Sequence, residues 1–214
     1  MIKRVIFITE NVNKYKELQN YLQMQNNNSN SNVRLELIKP EAELHEIQSL
    51  NQEEIVLHKL HDAFQACHHY LTYHPNPDSV NNEEVWILVE DTSLCISRLG
   101  GFPGPFVKFF LQSIPLENIG NENWGSEAQS IVNLAIGRIS NNGNVGFSAT
   151  HCFNGIIDGY IVNARGENGF GFDPIFRPVK SDKTNAEMSM EDKADFNPRI
   201  LAFQKVLDYL QVQV

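Results

Sequence analysis

Val85-Trp86-Ile87-Leu88-Val89-Glu90-Asp91-Thr92 is more apolar than any run before it, and it leads straight into two carboxylates. Its length and its branched and aromatic residues predict a strand over Val85–Val89. Upstream, Lys3–Ile8 has the same character and predicts another buried strand. A helix follows it, with Asn13 as a candidate cap and Tyr15, Leu18 and Leu22 on one face. Val33–Ile38 predicts a second strand, ended by Pro40. Asn51 and Glu54 read as a capping pair opening a long helix, in which Leu57, Leu60, Phe64, Cys67 and Leu71 recur at core spacing. Residues 73–84 are a loop by their Pro and Asn content.

Downstream, Gly100-Gly-Phe-Pro-Gly-Pro105 is a turn launching a helix that carries Lys108, Phe109 and Phe110. A further helix is expected over Ser126–Ile136. Residues 145–163 predict two strands, Gly146–Phe153 and Ile156–Val162, joined by a hairpin at Asn154-Gly155. Phe196-Asn197-Pro198 opens a last helix with Ile200, Phe203, Leu207 and Leu210 as its apolar stripe. Strands alternate with helices early and pair as a hairpin late, which favours an α/β mixed sheet over all-α or all-β.

The 214 residues suit a single domain, 1–214, or two closely joined lobes, and the 42% hydrophobic share is enough for a sizeable core. Gln25–Asn32 is a polar, Asn-rich tract and reads as a length-tolerant loop insertion. Seventeen basic against 26 acidic residues leave a net charge of −9, which disfavours nucleic acid polymers as partners. A small polyanion is compatible with that charge if a few cations and a divalent metal converge locally. Cys67, Cys95 and Cys152 form no CxxC pair, so buried thiols in a reducing interior are the expectation. The first apolar run is too short for a signal peptide, and no stretch approaches a membrane span, so a soluble, cytoplasmic protein is expected.

Four segments offer chemistry. Thr9-Glu-Asn-Val-Asn-Lys14 lies between the first strand and first helix, where helix N–H groups and strand carboxyl ends gather anions. It lacks the Gly-rich P-loop arrangement, and taken alone it is an ordinary polar loop. Glu46 sits in a loop with no helical job, whereas Glu54 is explained as a cap. Glu90-Asp91-Thr92 at a strand end can hold Mg²⁺ or orient water, or be a solvated terminus. Gly166-Glu-Asn-Gly-Phe-Gly-Phe-Asp-Pro-Ile-Phe176 is either a Gly-rich turn with core aromatics or a platform offering a ring and a carboxylate to a flat base.

Together and in this order, these segments resemble the inosine triphosphate pyrophosphatase family, which removes noncanonical purine nucleoside triphosphates. The resemblance runs from Val5 to Tyr209 through Thr9-x-Asn11-x-x-Lys14, Glu46-Ile-Gln with Glu54, Leu88-Val-Glu-Asp-Thr92 and Leu94-Cys95. It continues through Leu99-Gly-Gly-Phe-Pro-Gly-Pro105, Phe170-Gly-Phe-Asp-Pro174, Ala186-Glu-Met188, Lys193 and Arg199. It implies an elongated α/β fold, two lobes around a cleft, and a homodimer. The implied reaction is Mg²⁺-dependent hydrolysis of ITP, dITP and XTP between the α- and β-phosphates. Thr9, Asn11 and Lys14 would hold the triphosphate, within a contacting loop that includes Glu10, Val12 and Asn13. Glu46 and Asp91 would bind Mg²⁺, with Asp91 also the proton acceptor for the attacking water. Thr92 and Lys193 would touch substrate, and Lys59 and Lys108 match positions near the phosphates. Phe170, Gly171, Phe172 and Asp173 would line the base pocket beside Arg199. Local cations, Lys14, Lys59, Lys108, Lys193 and Arg199, would then offset the triphosphate charge together with the metal.

Two positions depart from the family pattern. Asn197-Pro198-Arg199 stands where the family usually has Ser-His-Arg. Asn still caps and Pro suits the first helical position, but the imidazole that would meet the purine edge is gone. Glu10 stands where the family often has Gly, and its side chain is expected to point outward. The first departure leaves open a pyrophosphatase with shifted base preference, and the second a catalytically weak nucleotide-binding protein.

Overall fold

The computed structural model describes residues 2–26, 32–40, 44–73, 83–139 and 146–212. Most of the Asn-rich tract and of the 73–84 loop, and the side chains of Cys67 and Leu71, lie outside the described residues. The strands are β1 (Ile2–Ile8), β2 (Val33–Ile38), β3 (Glu83–Ile96), β4 (Pro103–Gly104), β5 (Glu127–Ile139), β6 (Phe147–Ile161) and β7 (Phe176–Pro178). The helices are α1 (Val12–Asn26), α2 (Gln52–Tyr73), α3 (Val107–Ser113), α4 (Leu116–Glu122), α5 (Met190–Lys193) and α6 (Pro198–Val212). The strands form one mixed sheet in the order β2-β1-β3-β5-β6-β7, with β4 pairing β3. β1 runs parallel to both β2 and β3, while β7 is antiparallel to β6. This is the mixed α/β architecture that the element order predicts.

Two compact units divide the chain. The first holds Met1–Glu90, Asn133–Phe153 and Phe203–Val214; the second holds Asp91–Val132 and Asn154–Ala202. In the first, α2 lays Val56, Leu60, Ala63 and Phe64 against Ile6 and Ile8 of β1 and Ile87 and Val89 of β3. That i, i+4, i+7, i+8 spacing is one helix face, and Leu57, a step past it, is exposed rather than core. In the second, Leu94, Ile96, Val107, Ile119, Ile161, Phe172, Ile175 and Phe176 form a separate core.

Several expectations are corrected. Asn11, not Asn13, caps α1: its Oδ1 accepts the N–H of Asn13 at 3.0 Å and of Lys14 at 3.4 Å. β3 does not stop at Val89, so Glu90-Asp91-Thr92 lies within a strand and not at its end. Over Ser126–Ile136 the chain is strand from Glu127 onward, not helix. Ala128, Ser130 and Val132 alternate inward, and then every residue from Asn133 to Gly137 is buried. A strand covered on both faces loses the alternation that distinguishes it from a buried helix.

Residues 147–161 form a single strand, with no hairpin at Asn154-Gly155. Gly155 serves close packing instead. A Cβ there would sit 1.9 Å from the Pro198 carbonyl oxygen and 2.9 Å from the Ala202 nitrogen. On the same strand, in the first unit, burial and the nearby Glu53 carboxylate push the Cys152 thiol up to about 11.

Candidate active site

In the first unit the loop after β1 folds on itself. Thr9 Oγ1 accepts the Asn11 N–H at 3.1 Å, and Asn11 Oδ1 is spent on the α1 cap. With those acceptor atoms turned to the backbone, the groups these side chains offer an anion are donors, a hydroxyl proton and an amide NH₂. Glu10 is exposed, as is Asn13; Thr9, Asn11, Val12 and Lys14 are half-buried.

Lys14 Nζ lies 3.0 Å from Glu90 Oε1, and the Glu90 side chain is only 1% exposed. Lys59, reaching from α2, donates to the Glu90 carbonyl oxygen at 3.1 Å and pairs with Glu46 Oε1 at 2.6 Å. The two lysines are therefore tied to one residue of β3, one through its carboxylate and the other through the peptide that joins it to Asp91. A buried charge pair gains little over an apolar substitute, but losing one partner typically costs about 3–5 kcal/mol because the other charge stays buried. α2 presents Lys59 because its N-terminus is well fixed. Asn51 Oδ1 accepts the N–H of Glu53 and of Glu54, while the Glu54 carboxylate is held by the Ser49 hydroxyl at 2.8 Å.

In the second unit, Asp91 is buried and Thr92 half-buried. Asp173 is the anchor of the Gly-rich loop. Its Oδ2 accepts the Phe170 N–H at 2.9 Å and the Lys193 ammonium at 2.7 Å, and Asn185 Nδ2 approaches Oδ1 at 3.5 Å. Gly169, at φ +97°, is required there, since a Cβ would fall 2.4 Å from that same Oδ2. Gly171 also has positive φ. The Phe170 ring meets two cations, Lys193 Nζ 5.4 Å and Arg199 Cζ 5.5 Å from its centroid. Phe172 packs inward, edge-on to Phe176 at 6.1 Å. Asn197 Oδ1 accepts the Arg199 N–H at 2.9 Å, so Asn197 caps α6 and Pro198 is its first, buried residue. Lys108 is exposed on α3.

The first unit thus gathers Lys14, Lys59 and Glu46, and the second gathers Phe170, Asp173, Lys193 and Arg199. Three of the cations expected to face the triphosphate carry a carboxylate partner: Lys14 with Glu90, Lys59 with Glu46, and Lys193 with Asp173. Ser49 and Asn185 lie outside the expected site, and Glu90, expected only as part of the Glu90-Asp91-Thr92 segment, is the partner of Lys14. Glu90 directly follows the apolar run Val85–Val89, and its burial comes from β3 continuing through it to Ile96.

A model of the Ham1 family matches residues 5–209. The inosine triphosphate pyrophosphatase of Saccharomyces cerevisiae is 32% identical over 212 residues, covering 96% of this chain and 95% of that protein. The inosine triphosphate pyrophosphatase of Schizosaccharomyces pombe is 31% identical over 214 residues, covering 99% and 97%. Among solved structures, a HAM1 protein from Coxiella burnetii aligns with a TM-score of 0.66 at 19% identity over 99% of each chain. The Staphylococcus aureus Ham1 protein aligns with a TM-score of 0.62 at 21% identity, covering 99% of this chain and 100% of that one. At such identities the structural likeness speaks for the fold alone.

Proposed function

The chain belongs to the Ham1 family, and on that premise we propose that it hydrolyses deaminated purine nucleoside triphosphates, ITP, dITP and XTP, to the monophosphate and pyrophosphate. Relatives spanning nearly its whole length are inosine triphosphate pyrophosphatases. The observation that carries the reading is the network on Glu90: two phosphate-suited ammonium groups, Lys14 and Lys59, fixed at the peptide that leads into Asp91.

Each residue then has a task. Lys14, Lys59 and the donors of Thr9 and Asn11 hold the phosphate oxygens. Asp91 accepts the proton of the attacking water as the bond between the α- and β-phosphates breaks. Thr92 and Lys108 take further substrate contacts. The base stacks on Phe170, with Arg199 and Lys193 beside it and with Gly171, Phe172 and Asp173 shaping the loop.

Glu46 and Asp91 would hold Mg²⁺. The donors are carboxylate oxygens, which suit a hard cation, and one or two carboxylates plus phosphate and water is the usual Mg²⁺–nucleotide arrangement. Among the described residues no group of three or more His, Cys, Asp or Glu could hold a metal ion. Bound there, Mg²⁺ would supply charge neutralisation at the phosphates and make water easier to deprotonate. The carboxylate partners on Lys14, Lys59 and Lys193 make that neutralisation the more necessary. A single catalytic domain, a homodimer and a cytoplasmic setting complete the proposal; no helix of the described residues is long and apolar enough to cross a membrane.

Pyrophosphate release from a panel of triphosphates, with and without Mg²⁺, tests the reading. Release from ITP and XTP well above ATP and GTP, and only with the metal, is the expected result. A different preferred base would support a second reading, a shifted specificity favoured by Pro198, which is buried at the start of α6 and brings no hydrogen-bond donor. Saturable binding without release would make the protein a nucleotide binder.

A further inference from the structure

We infer that Glu90 is a positioning residue whose carboxylate holds the Lys14 ammonium group at a fixed point for the phosphates; the inference rests on the triphosphate reading above. The family resemblance assigns Glu90 no role. Its carboxylate is buried inside β3 and 3.0 Å from Lys14, and its carbonyl oxygen is 3.1 Å from Lys59.

Attraction alone does not explain this arrangement. Lys14 and Lys59 each already have a carboxylate partner, Glu90 and Glu46, which offsets part of their pull on an anion. What the pairing supplies is geometry. A lysine head on a flexible four-carbon stem loses rotamer freedom when it grips a phosphate, and fixing it beforehand removes that loss from the binding step. A full swing of Lys14 to substrate would give up its 3.0 Å contact with the buried Glu90 carboxylate. The ammonium therefore stays between Glu90 and the phosphate, donating to both.

A positioning role predicts that Glu90 acts through Lys14, and a double-mutant cycle reads this. Glu90→Gln, Lys14→Met and the double variant are compared with the unmodified chain on ITP and Mg²⁺. Glu90→Gln is expected to raise KM about ten-fold with kcat changed far less. Because Lys14 is already absent, the double variant should be no worse than Lys14→Met alone. Losses that multiply, or an unchanged KM in Glu90→Gln, would overturn the inference and leave Glu90 as a structural ion pair. If the unmodified chain has no turnover, the functional reading has failed, and the same cycle is read by calorimetric titration with inorganic tripolyphosphate, with the same pattern expected and the same refutation. Should Glu90→Gln not fold by circular dichroism, Glu90→Asp replaces it. Asp keeps the charge but withdraws it by one methylene, so KM should rise in the presence of Lys14 and not in the Lys14→Met background; a rise in both backgrounds would refute the role.

Discussion

Gly155→Ala puts a methyl group where β6 and the first turn of α6 touch. The added carbon would fall 1.9 Å from the Pro198 carbonyl oxygen, 2.8 Å from its carbon and 2.9 Å from the Ala202 nitrogen. All three are main-chain atoms, so no side chain can rotate away, and the start of the helix itself must shift. Overpacking of this kind costs about 1–3 kcal/mol, and a purely backbone obstacle belongs at the upper end, about 3 kcal/mol. For a chain of this size about 2–4 °C of Tm is lost per kcal/mol, giving a fall of roughly 6–12 °C. The shift would carry Arg199, whose N–H is capped by Asn197 and whose guanidinium lies 5.5 Å from the Phe170 centroid. KM for the base-bearing substrate should therefore rise along with the loss of stability. Differential scanning calorimetry measures the first effect, with Gly146→Ala as the comparison because no atom of the described residues lies within 4 Å of a Cβ there. A Gly155→Ala melt within about 2 °C of the parent would show that β6 and α6 do not pack as described.

Asp91→Asn should lower kcat by about 10²–10⁴ while leaving the melt nearly unchanged, as steady-state kinetics and calorimetry together would show; near-normal turnover would place the proton acceptor elsewhere. Pro198→His restores a ring able to hydrogen-bond a purine edge, and the ratio of kcat/KM for ITP over ATP should rise about ten-fold. Unchanged ratios would move base selection to the 170–173 loop. The Cys152 thiol is raised to about 11, chiefly by burial and then by Glu53, so its thiolate is disfavoured in the native chain. At pH 9 about 1% of it should be ionised, against about half or more in the unfolded chain, and iodoacetamide labelling followed by mass spectrometry should show that difference. By the same linkage the folded state loses stability as pH climbs from about 9 towards about 11; equal labelling rates would contradict the burial.

Elements with unambiguous punctuation could be read from the sequence. β2 ends before Pro40, α2 starts after Asn51, and α6 starts at Pro198 behind its Asn197 cap. β5 does not show itself in the sequence because Val132 to Gly137 is buried on both faces, which erases the period-two pattern. Asn154-Gly155 has hairpin composition, but its glycine answers a contact with Pro198 that lies 43 positions along the chain (198 − 155), and local pattern carries no trace of it. The same limit applies to the site. Which residue types belong to phosphate and base chemistry is visible in the motifs, but partner choice is not. Lys14 meeting Glu90, and Lys193 meeting Asp173, depend on how strands and loops bring distant positions together.

Product analysis after incubation with ITP and Mg²⁺ tests the central claim most directly. Resolved by anion-exchange chromatography, the products should be IMP and pyrophosphate in equal amounts, with about a hundredth of that or less formed by Asp91→Asn on the same timescale. IDP and inorganic phosphate, or identical product formation by the Asp91 variant, would contradict the reaction assigned to this network of lysines and carboxylates.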